Sequence, residues 1–69
     1  MKIERAMEVA KEESLKIPFN GKDSMLVLEF SHGCEVANSR SNTYREDRII
    51  AKWKGGELIW NKEKNGSER

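Results

Sequence analysis

The sequence predicts an α+β fold: one N-terminal helix packed on a small antiparallel sheet of three to four strands that ends in a Gly55-Gly56 hairpin. Three observations carry that expectation. Ile3, Ala6, Met7 and Ala10 recur at i, i+3, i+4 and i+7 in an opening stretch without Gly or Pro, which is the spacing of one helical stripe. "SMLVLEF", residues 24–30, is apolar at nearly every position. "RIIAKWKGGELIWNKEK", residues 48–64, sets two alternating runs on either side of a glycine pair.

The helix should stop near residue 16, because Pro18 disfavours helical geometry at the residue before it and Asn20-Gly21 supplies a turn. In the strand that follows, Leu26, Leu28 and Phe30 share one face and Met25, Val27 and Glu29 the other. Apolar residues on both faces predict a central strand. After a His32-Gly33 turn, "CEVA" allows a further short strand, and residues 38–47 read as a polar loop. Residues 1–64 are expected to form a single domain and 65–69 a frayed tail.

Both glycines of the hairpin can adopt the positive φ of a tight turn. Strict alternation then pairs Lys54 with Glu57, Trp53 with Leu58, Lys52 with Ile59 and Ala51 with Trp60. Ile49, Ala51, Trp53, Leu58 and Trp60 are expected under the helix. Ile50, Lys52, Lys54, Glu57, Ile59 and Asn61 are expected on the other side. Indoles and lysines alternate in sequence but would separate in space, so both tryptophans read as core. A competing helix over 43–54, with Thr43 and Glu46 as its capping box and Gly55 as its C-cap, spreads Tyr44, Ile49, Ile50 and Trp53 around the axis and explains the apolar positions less well.

Thirteen Lys and Arg against twelve Asp and Glu leave a net charge of +1, so any attraction for phosphate must be local. One cysteine, Cys34, cannot close an internal disulfide, and with a single histidine, His32, no structural metal site is expected. His32 and Cys34 at i, i+2 are the only thiol–imidazole candidates, but no third group is placed to orient the ring. No enzymatic activity and no cofactor are expected. A bilayer needs ~20 consecutive apolar residues; no such run occurs, and the cytoplasm is the expected location.

Two working surfaces follow. The leading one is protein-binding: Ile50, Lys52 and Ile59 on the outer sheet face, extended by Met25 and Val27 into an apolar patch rimmed by charge, for a protein partner or a second copy. The loop after Phe30 folding over these residues is the plain alternative. The other surface is a basic strip of Arg40, Arg45, Arg48, Lys52 and Lys54 with Tyr44 as a stacking ring, which would contact nucleic acid. In size, in density of Lys and Glu and in lack of catalytic groupings, the chain resembles the short accessory proteins of phages and mobile elements. Many of those act as inhibitors or adaptors by occluding a host protein. The resemblance is one of composition rather than of any motif.

Overall fold

The computed structural model describes residues 1–41 and 44–62. Helix α1 (Ile3–Lys16) is followed by β1 (Met25–Phe30), β2 (Gly33–Asn38), β3 (Ile49–Lys54) and β4 (Glu57–Asn61), with a 3-10 turn at Glu46–Arg48 just before β3. The strands make one antiparallel sheet in the order β2-β1-β3-β4. This is the expected α+β arrangement in its four-stranded form, with "CEVA" inside β2. In place of the competing helix, only Glu46–Arg48 turns helically before an extended β3. Thr43 and the expected tail at 65–69 lie outside the described residues.

α1 ends at Ile17, whose N–H reaches back to the Glu13 carbonyl (3.2 Å) before Pro18 forces an extended backbone. Ala6, Ala10 and Ser14, spaced by four, are the buried residues of the helix. Their small side chains let α1 lie close over the sheet, where Met25, Val27, Cys34, Ala51 and Phe19 complete the cluster and Met7, Ile17, Val36, Ile50 and Trp53 close around it.

The hairpin turn is fastened to this helix. Gly55 and Gly56, at φ 60° and 80°, form a type I′ turn. The Gly56 N–H donates to the Ser14 hydroxyl oxygen (2.8 Å), and that hydroxyl donates to the Lys11 carbonyl (2.7 Å). A Cβ on Gly56 would stand 2.7 Å from Leu15 Cδ2, so the turn and the last turn of α1 are in direct contact.

Strict alternation fails at two places. On β3, Val27 pairs with Ala51 but Leu28 pairs with Ile49, which makes Ile50 an extra residue. On β4, Trp53 pairs with Leu58 as expected, but Lys52 pairs with Trp60 and Ala51 with Asn61, which makes Ile59 an extra residue. A β-bulge sets two residues against one and reverses the side-chain parity beyond it. The expected pairs Lys52–Ile59 and Ala51–Trp60 are therefore replaced. Ile49 moves to the face away from α1 and Ile50 joins the helix-side cluster, while Trp60 leaves Trp53 for the opposite face.

That opposite face is apolar too. Leu26 and Leu28 are each only 2% exposed and Ile49 is buried, under a rim of Phe30, Ala37, Tyr44 and Trp60. Burying each leucine contributes roughly 2 kcal/mol. Tyr44, from the connection after β2, packs against Leu26, Leu28 and Ile49, whereas Met25, Val27 and Ile50, which a loop was expected to cover, lie under α1 instead.

Ser14→Ala would leave the Gly56 N–H without its partner in a part-buried site, and a loss of about 1–2 kcal/mol is expected in urea denaturation. Gly56→Ala should cost more than Ser14→Ala, because it adds backbone strain at positive φ to the collision with Leu15. Equal effects of the two would show that the turn is not seated on α1.

Candidate functional site

Two surfaces emerge, one on each side of the sheet. The first is a strip between α1 and β4. The two elements run alongside each other in opposite directions: Leu15 meets Gly56 at one end, while Ile3 and Met7 face Asn61 and Lys62 at the other. A cavity of about 350 Å³ opens at the second end, lined by Ile3, Met7, Glu29, Ile50, Asn61 and Lys62. Among the described residues five large hydrophobic side chains are exposed, and four of them belong to these two elements: Ile3 (39%), Leu15 (65%), Leu58 (40%) and Ile59 (51%). β4 is an edge strand with only β3 beside it.

The second surface is the face away from α1. Bulge parity brings Trp60 directly opposite Lys52, with the Lys52 Nζ 5.6 Å from the centre of the indole. At the far end of β1, Arg48 holds its guanidinium carbon 5.8 Å from the Phe30 ring, and the His32 imidazole stacks on that ring at 5.3 Å and 8° from parallel. Phe30, Tyr44 and Arg45 also line a shallow cavity of about 270 Å³ with Leu28, Glu35, Val36 and Ala37.

The residues expected to form one protein-binding face are divided between the two sides. Met25 and Val27 are buried under α1, and Ile50 packs against the same cluster. Lys52 lies across the sheet from them, paired with Leu26 and Trp60. Ile59 is the bulged, exposed residue of the edge strand. Met25 and Val27 face the helix because β1 is central and its Leu26/Leu28 face is the one that Tyr44 and Trp60 cover.

The basic strip is also divided. Arg48 and Lys52 sit over the aromatics described above, with Tyr44 and Arg45 beside them. Arg45 makes a two-pronged pair with Asp47 (3.2 Å each). Arg40 stands elsewhere: its Nε donates to Asp23 (3.1 Å), its Nη2 to the Pro18 carbonyl (3.0 Å), and its guanidinium covers Phe19 at 5.3 Å. It staples the end of β2 to the α1–β1 connection. Lys54 donates to the Gly21 carbonyl (2.7 Å) and serves that same connection.

Sequence periodicity missed Leu15, Leu58 and Ile3 as exposed residues, although Leu15 falls off the buried stripe of Ala6, Ala10 and Ser14. It also missed Trp60 and Phe30 as rings on the side away from the helix. For Trp60 nothing local signals the bulge, while the alternation of β1 did place Phe30 with Leu26 and Leu28.

His32 and Cys34 do not meet. His32 is exposed, stacked on Phe30 and hydrogen-bonded through Nε2 to Glu35 (2.8 Å). Cys34 lies in the helix-side cluster, its N–H donating to the Met1 carbonyl (2.7 Å). Burial pushes its thiol above the ordinary value of 9.0, and the Glu29 carboxylate adds to this, with the Met1 ammonium opposing and Glu4 adding a little.

No helix among the described residues is long and apolar enough to cross a membrane. Comparison of the chain with protein-family models, with curated proteins and with solved structures finds no match.

Because the folded chain holds the Cys34 proton more tightly than the unfolded chain does, the thiol's contribution to stability is complete below pH 9.0 and declines as pH rises past it. Cys34→Ala should flatten the fall of stability above that pH relative to the wild type, as read from urea midpoints. Native protein at pH 8 should also be alkylated by iodoacetamide far more slowly than unfolded protein, and equal rates would contradict the burial.

Proposed function

We propose that this chain is a non-enzymatic protein-binding module, an inhibitor or adaptor, that engages its partner along the strip between α1 and β4. The reading rests on one observation: Ile3, Leu15, Leu58 and Ile59 are exposed on α1 and β4, and a cavity opens between these two elements at the Ile3 end. Leaving such side chains in water is unfavourable, and concentrated exposure of this kind marks a contact surface more often than scattered apolar residues do.

From Ile3 to Leu15 the helix spans about 18 Å at 1.5 Å per residue, the length of a short partner helix lying in a groove. The bulge at Ile59 interrupts the regular row of edge groups that an added strand requires, so side-chain contact is favoured over extension of the sheet. The partner would therefore present an apolar ridge to the strip. A second copy of the chain satisfies the same chemistry, and so does a host protein of the kind that phage and mobile-element accessory proteins occlude.

The test is a double substitution, Leu58→Asp with Ile59→Asp, at exposed positions where the fold should survive. Circular dichroism and thermal midpoints near those of the wild type are expected. A tagged pull-down from nuclease-treated lysate of the source cell, together with sedimentation velocity, should show a protein partner or a dimer with the wild type and its loss with the variant. Identical recovery and identical sedimentation of the two proteins would defeat the reading.

A further inference from the structure

We infer that the sheet face away from α1 binds single-stranded nucleic acid, with bases stacking on Trp60 and in the Phe30–Tyr44 region and with Lys52 and Arg48 taking phosphates. This surface lies on the opposite side of the sheet from the α1–β4 strip and does not depend on it.

Three features carry the inference. First, the bulge at Ile59 places an indole and an ammonium group opposite each other on adjacent strands, where regular alternation would have put them on opposite faces. Bulges often re-aim side chains beside functional sites. Second, Lys52 and Arg48 make no ion pair among the described residues; each rests on a ring instead. Two of the neighbouring carboxylates are engaged elsewhere, Glu35 with His32 and Asp47 with Arg45. A lysine held only by cation–π attraction can swing to a phosphate on its flexible stem and bare the indole for a base. Third, the imidazole of His32 already lies nearly parallel on Phe30, which shows that this ring accepts a flat heteroaromatic partner.

The layout fits a strand of nucleic acid better than a lone nucleotide or a duplex. Lys52 pairs with Leu26, and Phe30 lies four residues further along β1. With Trp60 two strands over, the two rings stand roughly 16 Å apart by strand geometry. Sheet platforms that read single strands typically stack two or three bases. A duplex keeps its bases paired and out of reach of such a shallow face, and a net charge of +1 supplies little general attraction for its backbone.

The experiment is fluorescence anisotropy with short labelled mixed-sequence RNA, the same DNA, and the corresponding duplex, over a range of salt. Single strands should bind in preference to duplex, with log K falling against log salt at a slope of about −1.4 for two neutralised phosphates. Lys52→Gln should roughly halve that slope. Trp60→Leu should weaken binding about tenfold with the slope unchanged, and Trp60→Phe should recover most of the loss. Leu58→Gln, an uncharged change on the side of the sheet that Trp53 occupies, should leave binding as in the wild type. A difference between RNA and DNA would show that the 2′-hydroxyl is read, and equal binding that only rings and phosphates are. No binding at low salt, a preference for duplex, or binding untouched by both Lys52→Gln and Trp60→Leu would overturn the inference. Lys52→Gln keeps the test decisive even if the Trp60 variants fail to fold.

Discussion

Side-chain parity along the β3–β4 hairpin governs what this small sheet can present on each side. In a pleated strand successive residues face opposite ways, so one inserted residue transfers everything beyond it to the other face. Here there are two insertions, Ile50 on β3 and Ile59 on β4. Between them they deliver Ile50 to the helix side and send Ile49 and Trp60 to join Leu26 and Leu28. Each face consequently has one large indole, Trp53 on the helix side and Trp60 on the other.

The second constraint is the close seat of α1. Ala6, Ala10 and Ser14 present almost no bulk, and the Ser14 hydroxyl receives the Gly56 N–H. This fastens the helix over the tip of the hairpin, where Leu15 stands against Gly56, while a cavity lined by Ile3, Met7, Asn61 and Lys62 opens toward the far end of β4. A bulkier helix face would hold α1 further from the sheet, and the Ser14–Gly56 hydrogen bond could not form.

The two surfaces differ in physical character. Along the α1–β4 strip, aliphatic side chains meet water directly. On the opposite face the apolar floor of Leu26, Leu28 and Ile49 is roofed by rings, and the rings are in turn capped by cations. That stack of aliphatic floor, aromatic layer and positive charge is stable without a ligand, because cation–π contact and the long apolar stems of Lys and Arg satisfy both sides. It is also suited to exchange, since an anion and a flat ring together replace what the cation alone provides.

Much of the fold was legible because it depends on local pattern. The period of Ile3, Ala6, Met7 and Ala10 marked α1, Pro18 marked its end, the doubly apolar run at 24–30 marked the central strand, and Gly55-Gly56 marked the turn, each through backbone or periodicity constraints that act within a few residues. The pairs nearest the turn, Lys54–Glu57 and Trp53–Leu58, were also readable, since the turn sets the register at its own end. Only the tertiary structure decided the rest. Bulges at Ile50 and Ile59 form where packing on two faces is settled simultaneously, and nothing in "RIIAKW" or "ELIW" alone distinguishes an inserted residue from a paired one. Arg40 and Lys54 were likewise taken from a basic strip by Asp23, Pro18 and Gly21, partners that lie far off in sequence. Local sequence determined the elements and their order, and long-range packing determined which face each side chain serves.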